Sequence, residues 1–239
     1  MRRISHCLPL LVLLLCSIQL VGAQSLVDLN IGFGAVYAKA TGTGIEGDYS
    51  GANYANFEGV CAIGSTPTCA KTSALSGFMM GFGANLMLWK SFGVGMEATM
   101  QPGKPTYASI PAESVSGVAT QTAYTFQSRT TFYDFNGIYQ PVNTKKATLQ
   151  LIGGFGGANT KFYDNQSTTG LLGSSSYSSY LSSTNHLNLH AGVGVQIYIN
   201  DHMYVRPQFD MHYVPNLEQF GSNIVMQGMV WIGYTIGDR

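Results

Sequence analysis

The sequence has few charged residues and, beyond its first two dozen positions, no apolar run of the ~20 residues that a membrane-spanning helix needs. Lysine, arginine, aspartate and glutamate together make up 10% of the 239 residues, against about a quarter in an ordinary soluble domain. The basic residues form no patch, which argues against a nucleic-acid partner. The missing helix-length run argues against a helical membrane protein.

The first 23 residues have the three parts of a cleavable export signal. Two arginines follow Met1 directly, a mainly apolar stretch covers 8–21, and glycine and alanine stand at positions 22 and 23. A basic start, a short apolar core and small residues at the cleavage point are typical of a secretory signal peptide. We therefore predict a signal peptide over residues 1–23 and one exported domain over residues 24–239.

Cysteine is scarce, and two of the four cysteines, Cys7 and Cys16, lie within the predicted signal. The exported chain keeps Cys61 and Cys69. Two nearby cysteines in an exported protein favour a disulfide, because the compartments outside the cytosol are oxidising. No histidine lies nearby, so a metal site is disfavoured. We predict a Cys61–Cys69 disulfide, no metal site and no cofactor.

The sequence is rich in glycine, tyrosine and phenylalanine, and along much of it apolar residues alternate with small or polar ones. Most of eight segments place apolar side chains at every second position and small or polar side chains between them, the period of a β-strand with two different faces. The clearest outward set is Leu187, Leu189, Ala191, Val193, Val195, Ile197 and Ile199. The exception is the fourth segment, about 122–139. Neither phase of 129–137 is cleanly apolar there, and a β-bulge is one explanation.

The connections between these segments alternate between short and long. The short ones lie near 89–91, 141–146 and 200–202, and the long ones at about 38–76, 102–121, 160–185 and 214–223. Outer-membrane barrels have tight periplasmic turns and long extracellular loops. Composition alone also allows a soluble β-sandwich, but the alternation and the connections favour an all-β, eight-stranded, antiparallel up-and-down transmembrane β-barrel. Both termini are then expected in the periplasm.

Three motifs and the final segment resemble a known family. The motifs are Phe132-Tyr-Asp-Phe-Asn-Gly-Ile-Tyr139, Gly153-Gly-Phe-Gly-Gly-Ala-Asn159 and Val205-Arg-Pro-Gln-Phe-Asp210. The chain is similar in these to the small bacterial outer-membrane β-barrels around the OmpA transmembrane domain and OmpW. The resemblance implies a bacterial outer-membrane location, contact with outer-membrane lipid and lipopolysaccharide, and insertion by the outer-membrane assembly machinery. Tyr234 is the candidate for the aromatic residue near the end of the chain that this machinery reads.

The predicted lumen face carries charged side chains that need partners, because an eight-stranded barrel has little room for water inside. Glu97 and Arg206 come from strands on opposite sides of the ring and at similar heights, so we predict that they pair across the lumen with Asp210 nearby. The predicted lumen network consists of Glu97, Arg206, Asp210, Gln208, His190 and His212. Two interpretations stay open for the pair, a structural plug and a gated narrow pore.

Aromatic residues near the strand ends fit the interfacial belts of a membrane protein. Trp89 and Tyr204 are placed at one rim, and Tyr37, Tyr124 and Tyr213 at the other. Paired glycines on the predicted lumen face, such as Gly32 with Gly34 and Gly192 with Gly194, are expected to make room inside a narrow barrel.

The sequence does not single out one function. We predict a protein that is not an enzyme, with a plugged lumen and a structural, membrane-integrity or surface-contact role. The alternative is a small pore, or an OmpW-like channel for small or apolar solutes. A lipid-modifying enzyme is the weakest candidate, because His190 and His212 fall on the lumen face. The long loops, including 61–69 and the Ser/Tyr run 174–183, are candidates for an extracellular ligand.

Overall fold

The computed structural model describes residues 26–38, 70–71, 76–110, 120–170, 173–215 and 223–237, and these form ten strands. The strands are β1 (Leu26–Ala38), β2 (Ala70–Lys71), β3 (Gly77–Met87), β4 (Phe92–Met100), β5 (Thr106–Ile110), β6 (Thr120–Asn143), β7 (Ala147–Gly170), β8 (Gly173–Tyr198), β9 (Met203–Tyr213) and β10 (Ile224–Ile236). Among the described residues, no helix has both the length and the apolar character needed to cross a membrane.

Eight of these strands close into an antiparallel barrel. Each of β1, β3, β4, β6, β7, β8, β9 and β10 pairs with its neighbour along the chain, and β1 also pairs with β10. The predicted eight-stranded up-and-down barrel is confirmed. The two short strands lie outside the ring, β5 on the early part of β6 and β2 on β5. The ladder between β8 and β9 skips the position of Pro207, which has no N–H to donate.

Side chains alternate between an apolar outside and a polar inside. The 13 residues of β10 alternate exposed and buried without a break. Large hydrophobic side chains on the outside are exposed to between 36% (Leu88) and 68% (Ile199), while Arg206 and Gln150 inside are 0% exposed. This is the reverse of a soluble protein. The barrel therefore has the apolar outer wall of a membrane-spanning protein.

The two ends of the barrel differ. One end, here the turn end, carries the short turns 88–91, 144–146 and 199–202. The described chain also begins and ends there, since Val27 pairs with Ile236. The opposite end, the hairpin end, carries the long connections. Of these, 160–185 differs from the irregular loop expected from sequence. β7 and β8 stay paired up to Gly170 and Gly173, so this segment is a β-hairpin beyond the ring.

The fourth predicted segment alternates between outward and buried positions from Gln127 to Gln140. Tyr133 and Phe135 face outward, and Asp134 is buried inside. The sequence did not show which face of this strand points outward, because the apolar residues Phe132 and Ile138 also face the lumen. There they are 0% and 3% exposed. The register shift in this strand lies instead between 139 and 142, around a proline.

The placement of Tyr204 in an interfacial belt was wrong. Its side chain is fully buried in the lumen, where Asn30 Nδ2 donates to its hydroxyl at 3.4 Å. Its ring covers Gly233, so that a Cβ there would lie 2.1 Å from the ring. Trp89 and Tyr37 are exposed at opposite ends, as the belts require. The signal over 1–23, Cys61, Cys69 and the side chain of Tyr124 lie outside the described residues.

Candidate functional site: the polar network of the lumen

A buried ion pair joins opposite walls of the barrel. Arg206 Nη2 on β9 donates to Glu97 Oε1 on β4 at 2.7 Å, with side-chain exposures of 0% and 4%. Arg206 Nη1 donates to Gln150 Oε1 at 2.9 Å, and the guanidinium carbon lies 5.4 Å from the Trp231 ring. The cross-lumen contact that the sequence predicted is present. Its positive charge is compensated by a carboxylate and by hydrogen bonding, as a buried guanidinium requires.

One amide joins two carboxylates next to this pair. Gln208 Nε2 donates to Glu97 Oε2 at 3.1 Å and to the two carboxylate oxygens of Asp210 at 2.9 and 3.0 Å. The acidic groups of β4 and β9 are thereby held close together. Arg206 and the Gln208 amide supply the donors that make this arrangement tolerable inside the barrel.

Two imidazole rings stack farther toward the hairpin end. The centroids of His190 and His212 lie 4.7 Å apart, with an angle of 9° between the ring planes. His190 Nε2 lies 3.0 Å from Asp210 Oδ1, and its Nδ1 lies 3.0 Å from Asn136 Oδ1. Both nitrogens of His190 thus face oxygen acceptors, so both are placed to carry protons. Such an imidazolium balances Asp210.

His212 has the opposite pattern. Its Nδ1 lies 3.0 Å from the amide nitrogen of Asn188, a donor, and its Nε2 lies 2.8 Å from Gln227 Oε1, an acceptor. These partners select the neutral ring with the proton on Nε2. A neutral His212 also avoids placing two positive rings face to face. Phe132 stacks on its other face at 4.4 Å.

The network predicted from the sequence lacked several residues that the structure adds to it, among them Asp134 and Asn188. Asn188 Nδ2 donates to Asp134 Oδ1 at 2.5 Å, and Asp134 Oδ2 lies 4.0 Å from His212 Nδ1. Asp134 was missed because the phase of its strand was open. Asn188 was placed on the lumen face but had no predicted partner. The signal that finds Asp134 is the outward spacing of Tyr133, Phe135 and Tyr139.

Toward the turn end the hydrogen bonds continue without interruption. Gln150 Nε2 donates to Gln196 Oε1 at 2.7 Å, and Gln196 Nε2 donates to Asp28 Oδ2 at 3.2 Å. The Thr235 hydroxyl donates to Asp28 Oδ1 at 2.6 Å. A continuous series of polar contacts therefore runs from His190 through Asp210, Glu97 and Arg206 to Asp28.

Glycines on the inner face make room for the large side chains. A Cβ on Gly32 would lie 2.5 Å from the Trp231 ring, and one on Gly81 would lie 2.7 Å from it. A Cβ on Gly192 would lie 2.1 Å from the Asp210 carboxylate. The predicted role of lumen glycines is confirmed at these positions, because any larger residue collides with the network.

Apolar side chains surround the end of the network that faces the hairpin end. Met79 and Met229 lie opposite Gly34 on its two neighbouring strands, and both are buried, with 0% and 2% exposure. Phe132 and Val36 are buried in the same part of the barrel, with 0% and 3% exposure. Polar side chains therefore occupy the middle and turn-end parts of the lumen, and an apolar layer follows.

The contacts of the lumen network hold its buried charged groups in place. The side-chain hydrogen-bond partners of His190 and His212 in the described part of the chain are amides and a carboxylate, which are not serine-type nucleophiles. Over the same residues, no group of three or more His, Cys, Asp or Glu side chains is arranged to hold a metal ion.

Comparison with known proteins gives structural similarity only. No family model matches the sequence, and no curated protein matches it either. The solved structure of Ail, the attachment invasion locus protein of Yersinia pestis, with the heparin analogue sucrose octasulfate is 13% identical and covers 90% of this chain and 100% of its own, with a TM-score of 0.47. OprG of Pseudomonas aeruginosa is 12% identical over 90% of this chain and 96% of its own, with a TM-score of 0.44.

A major outer-membrane protein of Thermus thermophilus is 11% identical over 88% of this chain and 99% of its own, with a TM-score of 0.43. All three are outer-membrane proteins, the class that the sequence resembles. The fold assignment itself rests on the closed sheet of this chain.

Proposed function

We propose that this chain is a bacterial outer-membrane barrel protein whose lumen is plugged by its polar network and whose role is structural or one of surface contact. The observation that carries the proposal is the buried Glu97–Arg206 pair, which spans the lumen at 2.7 Å. A permeating ion would have to separate these charges inside a barrel of low dielectric. Separating a buried ion pair costs about 3–5 kcal/mol, enough to keep an open state rare.

The surface role is supported by the length of three strands. β6, β7 and β8 have 24, 24 and 26 residues, whereas a tilted strand crosses a membrane with about 9–11. The surplus extends beyond the ring at the hairpin end. It carries Tyr177 and Tyr180, exposed at 65% and 56%, among serines. Exposed tyrosine and serine side chains suit contact with an extracellular ligand.

Single-channel recording tests the plug. The refolded chain is compared in planar bilayers with Glu97→Ala and Arg206→Ala. The proposal expects a silent wild type and variants that conduct, because each variant removes one half of the pair. Steady conductance of the wild type would reject the plug. Lys90→Ala, at an exposed turn, serves as the control and should stay silent.

A small pore is the second candidate, and buried polar atoms favour it. Gln208 Oε1, Asn30 Oδ1 and Trp231 Nε1 are buried without a hydrogen-bond partner among the residues that the structure describes. Buried polar groups of this kind are usually satisfied by ordered water, and a hydrated lumen is the first requirement of a pore. The same recording distinguishes the two candidates.

The orientation is part of the proposal: the termini and short turns are periplasmic, and the hairpin end is extracellular. A membrane-impermeant thiol reagent tests it on intact cells that produce Ser176→Cys or Lys145→Cys with Cys61 and Cys69 replaced by serine. Labelling at position 176 but not at 145 is expected. The reverse pattern would invert the orientation.

The Cys61–Cys69 disulfide remains part of the proposal for the extracellular face. Mass spectrometry of the unreduced protein after thiol alkylation tests it. Two unmodified cysteines that become alkylated only after reduction are expected. Alkylation without reduction would reject the bond.

A further inference from the structure

Three basic side chains lie together on the outer wall of the barrel at the hairpin end: Lys104, Arg129 and Lys161. Arg129 on β6 and Lys161 on β7 are directly opposite each other in the strand register. Both are in the outward phase of their strands, where Arg129 is half-buried and Lys161 is exposed. Lys104 follows β4, and its Nζ lies 3.8 Å from the ring centroid of Tyr163, two residues beyond Lys161. These three residues are called the basic cluster.

Within the described residues, the basic cluster has no acidic partner. Arg129 Nε donates to the Gln101 carbonyl at 2.8 Å, and its Nη2 lies 3.9 Å from the Met100 sulfur. These partners are neutral. Like charges directly opposite on neighbouring strands are destabilising. An anion bound nearby would relieve the repulsion between Arg129 and Lys161.

The described part of the chain supplies no such anion. Its acidic residues fall into two groups, neither of them on the outer wall at this end. Asp201 lies in the turn at the opposite end of the barrel. The others are buried on the inner face: Asp28, Glu97, Asp134, Asp164 and Asp210.

The height of the basic cluster matches the headgroup region of a membrane. On β6 the apolar outer wall ends at Tyr133, and Thr131 and then Arg129 are the next outward positions. Four residues of a strand tilted by about 45° rise by about 9 Å. The Arg129 guanidinium reaches back toward Met100, whose Cα partner is Thr131, so it lies nearer to the apolar wall than its own Cα. Long basic side chains extend in this way along apolar surface with the charge at the interface.

We propose that the basic cluster binds the phosphate of a lipid headgroup in the leaflet at the hairpin end. This rests on the proposed function, which makes that leaflet the outer one, where the phosphates belong to a glycolipid. The Arg129 guanidinium binds phosphate oxygens with paired N–H groups, and Lys161 and Lys104 supply point charges. Tyr163 holds the Lys104 ammonium at the edge of the site.

Native mass spectrometry of the full chain, titrated with bisphosphorylated lipid A, tests the site. The variants are Arg129→Gln with Lys161→Gln, and Lys104→Gln with Lys161→Gln. Lys145→Gln with Lys146→Gln, at the opposite end of the barrel, is the matched control. Each two-residue variant is expected to weaken lipid A binding at least about tenfold. This is the effect of losing roughly one charge-assisted hydrogen bond. The control should stay within about twofold, since exposed charges remote from the site contribute little.

Two ligand controls define the source of the phosphate. Fully dephosphorylated lipid A should bind the wild type as weakly as phosphorylated lipid A binds the two-residue variants. Inorganic phosphate should not displace the phosphorylated lipid. Equal binding of both lipids, equal binding by the variants and the wild type, or displacement by inorganic phosphate would each overturn the proposal.

Folding and the proposed function are checked separately. Arg129→Gln removes a hydrogen bond to a backbone carbonyl, so the variant that contains it could fail to fold. Folding is judged by heat-modifiable migration on gels. If that variant does not fold, the variant with Lys104 and Lys161 replaced is used for the test. If the wild type inserts into bilayers and is silent but binds the two lipids equally, only the lipid site is rejected. If the wild type does not insert into bilayers, the proposed function is rejected as well.

Discussion

Arg206 and Glu97 stand 109 residues apart in the sequence, and their side chains meet inside the barrel at 2.7 Å. β4 and β9 are not neighbours in the sheet. The contact is therefore a tie across the lumen between two buried side chains. Four measurable consequences follow from this tie and from the packing around it.

Arg206→Met should destabilise the barrel strongly. It leaves the Glu97 carboxylate buried beside Gln208 without its cation, and breaking a buried pair in this way costs about 3–5 kcal/mol. Urea unfolding in lipid vesicles, followed by fluorescence, measures the free energy of unfolding. Adding Glu97→Gln should recover much of the loss, because no unpaired charge then remains. If Arg206→Met costs no more than Lys90→Met at the exposed turn, the pair is not energetically important.

Gly32→Ala should destabilise the barrel while Gly228→Ala should not. The new methyl group at position 32 would lie 2.5 Å from the Trp231 ring, whereas a Cβ at position 228 meets no heavy atom within 4 Å. Overpacking of this kind costs about 1–3 kcal/mol. Equilibrium unfolding of the two variants in the same vesicles measures the difference. Trp231→Leu in the Gly32→Ala background should restore stability if the collision is the cause, and an unchanged loss would place the cause elsewhere.

The two stacked histidines should be in different protonation states. His190 faces oxygen at both ring nitrogens, 3.0 Å from each, and should carry two protons. His212 faces an amide donor at Nδ1 and an amide oxygen at Nε2, and should be the neutral Nε2–H form. Long-range 1H–15N correlation spectra of histidine-labelled protein at neutral pH report this directly, with His212→Gln used for assignment. A proton on Nδ1 of His212 would contradict the observed orientation of Asn188.

Shortening the hairpin should leave the barrel intact. Tyr163 and Tyr180 are Cα partners, so residues 164–179 are replaceable by an Asn-Gly turn. The free energy of unfolding should change by less than about 1 kcal/mol, because the removed residues lie beyond the closed ring, where they pair with each other and with residues 120–126 of β6. Heat-modifiable migration and vesicle unfolding measure this. The same turn between Phe155 and Leu189, which are partners within the ring, should abolish folding. A shortened hairpin that also prevents folding would mean that it nucleates the barrel.

The strand phases were predictable wherever one face of a strand is purely apolar. β8 is the example, since its outward positions from Leu187 to Ile197 alternate strictly with polar or glycine positions. β6 is the exception, because Phe132 and Ile138 fill the lumen next to Asp134 and so blur the pattern. Tyr204 was misplaced for a related reason: an aromatic residue near a turn suits both an interfacial belt and a lumen packed against Gly233.

The sequence by itself determined the eight-stranded barrel. The alternation with period two and the alternation of short and long connections are both local patterns. In lipid, a closed barrel is the arrangement of such strands that satisfies every backbone group. Only the tertiary structure decided which lumen groups meet. Partners such as Asn188 with Asp134 and Gln196 with Asp28 come from strands that are not neighbours, and their relative height is set by closure of the whole ring. The register of β6 on β7, with its shift between Tyr139 and Val142, places Arg129 opposite Lys161.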